Sequence, residues 1–587
     1  MDMKKNFMKF ISVILSLALV FSIGCTGVSA SDNESSTVTL PTTEELAGAV
    51  TDTSIEAIRT VGGLFAGMQS LDSGEAFLNN LTKVLYNFLN VVVEVLVKTI
   101  CVIYPDPAGW KDFSEHNTDT FLEGREEYKT SADAENCWSL GYASRSLIPD
   151  DFESGKYYLG RDLMNKKAEG IYDDMRIRVA AVDDNSGDGA VIVGAIDALG
   201  VTSTDVRKIR AGVLEYCNKN GINVSSINIV STHAHSALDT QGVSTEFFYK
   251  LFASSFQNLL GIEGNLPFLD TPAYFKDYFV NQSIIAVEEA IEDMEKGSLY
   301  YDTIDASAYI KDKRGLVSKE DIPEFASLYF VPDSGSECTY ITDITCHPTS
   351  FSASNGLVGS DYIYYIDQYI RAKEGANFIM IQGAVGQLTR DNIDVDTSNM
   401  TEYEEKGADT KFLGETFGEY IISAEYETEL EPIINVHHKE VTVTPENSIL
   451  ALACEINLVN NQVYYTEDGV AIISEIGYLE FGHKVGFAIF PGEFYPEVFW
   501  GHEIIGDTTW DGTEWEYPAL NTSVEGVDVF AVCLANDALG YVLTDDNFAF
   551  MGHIIGEGIA DEVLSVGKHT GSLYVSNYLD LINEYVK

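Results

Sequence analysis

Residues 176–231 constrain the fold most. Two apolar runs, 176–182 and Ala190–Ile196, are too short for core helices and read as strands. Residues 204–220 then carry a helical pattern closed by Gly221, and 227–231 is another apolar run. A strand, a helix of that length and a second strand make a βαβ unit, so the sheet is at least partly parallel. Further buried-strand runs stand at 378–381, 485–490 and 527–533. The sequence therefore predicts an α/β class fold, with a mixed, partly parallel β-sheet core layered with helices. Each run ends in a polar or glycine-bearing turn, at Asp197, His233, Gly383, Glu493 and Asp537. Ligands of open α/β sheets sit beyond the carboxyl ends of strands, so these turns are expected to converge.

This texture begins near Ala132, which sets the expected domains: 1–30, 31–131 and 132–587. In the first, Lys4, Lys5 and Lys9 precede an apolar stretch, and small residues end at Ala30, the build of a secretory signal. The mature protein is expected to be secreted. Ile23-Gly24-Cys25 is a partial lipobox, with Ser22 where leucine is usual, and offers a lipid anchor at Cys25 as the alternative. Residues 31–131 read as a linker and an N-terminal helical extension. Within it, 81–104 is long and apolar, but Lys83, Asn87, Asn90, Glu94 and Lys98 draw one polar stripe along a helix. That helix is expected to dock on the protein body, with membrane-surface association as the other reading.

The formal charge, 36 − 91 = −55, repels nucleic acid and anionic bilayers over most of the surface. No nucleic-acid partner is expected, and nothing fixes an oligomeric state. Eight scattered cysteines without CxxC spacing predict mostly buried free thiols rather than a disulfide framework.

NIVSTHAHS places His233 and His235 two apart behind a strand, and residues so spaced face the same way if the strand continues. Imidazole is a common zinc ligand, but a site needs three or four groups. Other ligand types stand at comparable strand ends: His347 in ITCHPTSF, Glu493 in FPGEF and Tyr541 in LANDALGYVLT. His437 and His438 are adjacent and so point to opposite faces, a poor joint ligand set. Asp197 and Asp361 read equally as partners for ligand histidines or as loop caps.

These segments resemble the neutral/alkaline (non-lysosomal) ceramidases and their bacterial relatives. THAHS is similar to the family's THTHS, CHPTSF to its HxTS segment, and GLVGSDY to the glycine–aspartate continuation. IQGAVGQLTRDN is similar to the loop that reads GDVSPN there, PGEF to the glutamate segment and NDALGYVLT to the tyrosine segment. The pieces stand in family order from about residue 135 to 560. The resemblance implies Zn2+ held by His233, His347, Glu493 and Tyr541, with His235 contacting the reacting carbonyl or its oxyanion. It also implies that Arg314, in YIKDKRG, lies near the substrate head group, and that Tyr541 or His235 relays a proton to the leaving amine. Thr389 takes a serine position in the substrate pocket, and His553 that of a substrate-contacting tyrosine.

The implied function is a zinc-dependent hydrolase of an N-acyl bond, using metal-activated water, with ceramide-like lipid as the leading substrate. The alternatives are another N-acyl or ester substrate, or a non-catalytic surface protein that binds a lipid or a partner. The chain departs from the family at Ala237-Leu238-Asp239, which replaces Gly-Pro-Gly, and at Arg390 and Asp391 in the loop. Only 46 residues follow Tyr541, too few for the family's C-terminal immunoglobulin-like domain, so none is expected. An aromatic-rich insert at 242–281 reads either as the wall of an acyl cavity or as helical packing.

Overall fold

The structure, a computed structural model, describes residues 111–153, 157–160, 166–242, 273–351, 355–455, 459–466, 469–501, 513–549 and 561–586. The expected signal, Cys25, the 81–104 helix, most of the insert and His553 lie outside the described residues.

The large sheet is built from β1 (Trp138–Ser146), β2 (Arg176–Asp183), β3 (Ala190–Ile196) and β4 (Val224–Ser231), followed by β5 (Glu295–Ile304), β6 (Phe325–Pro332), β7 (Thr339–Ile344) and β8 (Asn377–Gln382). Their order is β8–β7–β6–β5–β1–β2–β3–β4, and a two-residue strand, Thr428–Glu429, adds to β5 as a ninth. The pairs β3/β4 and β7/β8 are parallel; the other pairs are antiparallel. Each parallel pair is linked by a crossover containing a helix, α1 (Ser203–Asn220) and α3 (Tyr362–Glu374).

Helix α1 forms because Val206, Ile209, Val213 and Cys217 make one buried stripe. Gly221, at φ 69°, ends it in a left-handed cap that glycine adopts without a Cβ clash. Together with α2 (Ala273–Glu292) it covers one half of a sheet face, packing Val206, Ile209, Phe279 and Val287 onto Ile177, Val179 and Ile192. Over the other half, α3 and α4 (Ala408–Ser423) set Ile363, Ile366, Leu413 and Phe417 on Phe378 and Met380.

The opposite face meets a second sheet of β9 (Ile434–Val443), β10 (Val463–Thr466), β11 (Gly469–Phe481), β12 (Val485–Ile489) and β13 (Asp528–Val532). Val436, Leu479, Phe487 and Ile489 interleave there with Ala180, Val182, Val191 and Val193. Helix α5 (Thr570–Tyr585) covers the outer side, where Tyr585 stacks on His437 at 4.7 Å. The result is four layers, helices–sheet–sheet–helix. Strands covered on both faces read as unbroken apolar runs, which is why AVIVGAI carried so clear a signal.

Residues 111–131 belong to this unit, which runs over Gly109–Ser254, Gly264–Asn547 and Ser565–Lys587. The Arg125 guanidinium is buried on Asp184 and the Gly189 and Ile434 carbonyls. All six described cysteines are free thiols. Among the described residues no helix is long and apolar enough to cross a membrane.

Candidate metal centre

The ends of β4 and β8 are stitched to the second sheet by residues 533–536. Ser231 N–H donates to Leu534 O (3.0 Å), Asn536 N–H to Ile229 O (2.7 Å) and Cys533 N–H to Gln382 O (2.7 Å). This stitching draws the turn after β12 alongside the end of β4. There, two short parallel strands, Glu493–Phe494 and Tyr541–Val542, pair Glu493 directly with Tyr541.

Strand β4 stops at Ser231, so the two histidines do not share a pleat as the alternation argument required. His233 instead turns the chain, at φ 63°, a left-handed conformation uncommon for a residue with a Cβ. His235 follows in the turn, its N–H on Pro348 O (3.3 Å). His347, just past β7, is fixed by its N–H on Leu388 O (3.0 Å) and bridges to Thr389.

The three imidazoles face one another, with ring centroids 4.6, 4.6 and 5.0 Å apart, and one nitrogen from each lies within 4.8 Å of the others. His347 Nε2 is 3.0 Å from His235 Nε2. Glu493 Oε2 is 3.0 Å from His233 Nε2 and 3.9 Å from His347 Nε2. The Tyr541 ring lies 6.5 Å from that of His347, tilted by 27°.

The outer nitrogen of His233 sets the inner one. His233 Nδ1 is 2.7 Å from Leu199 O. A ring that donates through Nδ1 to a carbonyl presents an Nε2 lone pair on its other side. Burial, then the neighbouring His233, His235 and Lys313, push His347 well below the usual histidine range, so it stays neutral. His233 Nε2 and Glu493 Oε2 are buried, 3.0 Å apart and without a hydrogen bond. His235 Nε2 and His347 Nε2 share a hydrogen bond with each other. Imidazole nitrogens beside a buried carboxylate make a donor set that fits a divalent metal.

The other sequence-derived residues fall around this group. Arg314 lays its guanidinium over the Tyr495 ring, 5.3 Å from the centroid, and Nη2 donates to Asn547 Oδ1 (3.4 Å). Tyr495 in turn packs edge-on against Tyr541 at 6.2 Å. Thr389 Oγ1 shares a hydrogen bond with Thr349 (3.2 Å). Leu238 is absorbed in the core beneath α1, and Asp239 closes its own turn on Gly242 N–H (2.8 Å). Arg390 pairs with Asp409 (3.3 Å).

Neither aspartate that read as a histidine partner is one. Asp197 carries the buried Arg178, at 2.8 and 3.0 Å, and Asp361 caps α3 and accepts from Phe351 N–H (2.7 Å). The histidine-orienting group is a backbone carbonyl, Leu199 O, which any residue type could supply and no sequence pattern marks. Lys313, exposed with Nζ 5.1 Å from the Tyr541 ring centroid, also escaped the sequence reading; its neighbour Arg314 drew the attention.

The four-layered α/β fold gathers at its strand ends three imidazoles that could hold a metal ion. The fold is that of the ceramidases. Neutral ceramidase from Pseudomonas aeruginosa superposes with a TM-score of 0.57 at 14% identity, over 76% of this chain and 74% of that one. A ceramidase complexed with C2 gives 0.53 at 14% identity, over 76% and 75%. No protein-family model and no curated protein matches the chain.

Proposed function

We propose that the chain is an exported member of the neutral ceramidase family, a zinc-dependent hydrolase of N-acyl amide bonds with ceramide-like lipids as its substrate class. One observation carries this reading: His233, His235 and His347 each bring a ring nitrogen within 4.8 Å of the others, and Glu493 Oε2 lies 3.0 Å from His233 Nε2, both of these last atoms buried and lacking hydrogen bonds. The ceramidase fold and the name of its neighbour support the reaction class.

His233, His347 and Glu493 would hold the zinc, with Tyr541 beside His347 and His235 Nε2 3.0 Å from His347 Nε2. Bound zinc supplies Lewis-acid activation of water and of the scissile carbonyl. His235, half-buried and aimed at the same point, donates to the oxygen on which negative charge develops. Tyr541 or His235 hands a proton to the departing amine nitrogen, where a protonated leaving group is required. Leu199 O keeps the His233 ring from turning.

The test is metal content together with hydrolysis of a short-chain ceramide or N-acyl amine. Wild type should hold one zinc per chain, and His347→Ala none, with activity falling at least ~10²-fold. Full turnover by the metal-free protein, or by His347→Ala, would overturn the assignment. An unchanged lipid-binding function in His233→Ala would favour a non-catalytic binder instead.

A further inference from the structure

Glu497 is a buried acid to which the chemistry above gives no part. It sits in the short helix Pro496–Trp500, in the segment that leaves Glu493, and has no exposed surface. Its two oxygens reach different parts of the wall around the centre. Oε2 accepts from Gln387 Nε2 (3.1 Å) and Oε1 from Asn547 Nδ2 (2.8 Å), and both carboxamides are buried with it.

Each partner belongs to a segment that shapes the site. Gln387 O accepts Lys313 N–H (3.0 Å), and the next residue, Leu388, accepts His347 N–H and precedes Thr389. Asn547 lies in the segment after Tyr541, and its Oδ1 accepts from Arg314 Nη2 (3.4 Å). One carboxylate thus links the loop that carries Thr389 to a side chain that contacts Arg314.

The ionised form is the one that suits this setting, because an anion accepts at both oxygens and both carboxamides present N–H groups. A proton on either oxygen would meet one of those N–H groups head-on, and that carboxamide would have to turn over or withdraw. Turning Gln387 would bring its Oε1, which is buried and lacks a hydrogen bond, onto the new O–H. Burial pushes the Glu497 carboxyl up to about 7, against the effect of its own backbone N–H, Arg314 and Asn547, while Asp312 adds to the rise. Arg314 and Asp312 are the charged groups that act on it, both from the turn at 312–314.

We infer that Glu497 is a positioning residue of the hydrolase, whose carboxylate holds Gln387 and Asn547 and so sets the Thr389 loop and Arg314 for binding of the N-acyl substrate. The inference rests on the reading of the centre as an N-acyl hydrolase and keeps its substrate class.

The experiment measures zinc content, KM and kcat for a short-chain ceramide between about pH 6 and 8.5 in wild type, Glu497→Gln, Gln387→Met and the exchange Glu497→Gln/Gln387→Glu. At the alkaline end Glu497→Gln should raise KM about tenfold, the worth of a hydrogen bond to a charged group, with kcat within about threefold and zinc content as in wild type. The ratio of the two KM values should shrink toward unity as the pH falls through about 7, because protonated wild type has lost the same clasp. Groups common to both proteins cancel in that ratio. Gln387→Met, which cuts the clasp from the loop side, should raise KM in the same pH-dependent way, so the result does not hang on the folding of one variant. The exchange returns a carboxylate to the pair and should recover most of the lost affinity.

Infrared difference spectra across the same range read the carboxyl without turnover: wild type should lose a protonated-carboxyl band on alkalinisation that Glu497→Gln lacks. A KM ratio that does not change with pH, an exchange variant no better than Glu497→Gln, or variants that lose thermal stability with KM untouched would each overturn the inference and leave the hydrolase assignment standing. Zinc-loaded wild type that hydrolyses no N-acyl amide removes the hydrolase reading and this inference together, a result distinct from the other three.

Discussion

Asp197 shows how much a single buried carboxylate can decide. It accepts from Thr232 Oγ1 (3.4 Å) and has no exposed surface, and its partner, Arg178, is as enclosed. Burial raises its pKa, and the Arg178 charge and hydrogen bonds oppose that rise. Removing one member of such a pair strands the other charge in a low-dielectric interior. Asp197→Ala should therefore cost about 3–5 kcal/mol, read from the urea midpoint, whereas Arg178→Met with Asp197→Leu should return to within about 2 kcal/mol of wild type. Equal losses in the single and double variants would show that the ion pair is not what Asp197 supplies. At this scale the sequence was legible where chemistry is carried by residue type. His233, His235, His347, Glu493 and Tyr541 announce themselves as ligand-type side chains at strand ends, and the structure gathers them. The left-handed turn at His233 and the carbonyl behind it were not legible, because backbone geometry forced by tertiary stitching leaves no mark on composition.

The loop IQGAVGQLTRDN shows how an element is placed by what it lacks. A Cβ at Gly386 would stand 2.0 Å from Tyr495 Cδ1 and 2.9 Å from Phe494 O; one at Gly383 would stand 2.7 Å from Asp343 Oδ1. Tyr495 is buried, so it cannot swing aside, and the Glu493–Phe494 strand would have to retreat from the histidines. If the proposed centre holds zinc, Gly386→Ala should weaken its affinity by roughly 10–100-fold, the range seen when a supporting group around a metal is lost. Competition with a chelator of known affinity measures this; unchanged affinity would mean that the loop does not hold Glu493 in place. Six strands and helix α1 were readable from apolar runs and helical spacing, because both faces of those strands are covered and α1 has one buried stripe. Strand order, the antiparallel majority and the separate second sheet were not, since pairing between distant segments depends on packing that no local period encodes.

The whole molecule depends on two sheets lying face to face, and His438 sits between them. It belongs to β9, yet its Nε2 is 2.9 Å from Ser226 Oγ on β4, while adjacent His437 points the other way onto Tyr585, as alternation along a strand requires. Burial, opposed by Glu475 and assisted by Arg210 and His437, pushes the His438 imidazole down to about 4. Its unfolded value is about 6.5, so between those limits the unfolded chain holds the extra proton and stability must fall as the pH falls. Above pH ~6.5 both states are neutral and this contribution is complete and constant. His438→Gln retains a hydrogen-bonding side chain at the position but cannot titrate. Relative to that variant, wild type should lose up to about 1.4 kcal/mol per pH unit on acidification from ~6.5 to 4, roughly 3 kcal/mol in all. The raised carboxyls of Asp361 and Asp537, both near 6, act in the opposite direction in the same window, but they are common to both proteins and cancel in the difference. Unfolding free energies of the two proteins at half-unit pH steps provide the measurement. Parallel curves would mean that His438 takes up its proton inside the folded sandwich, and the two sheets would then have to part enough to hydrate it.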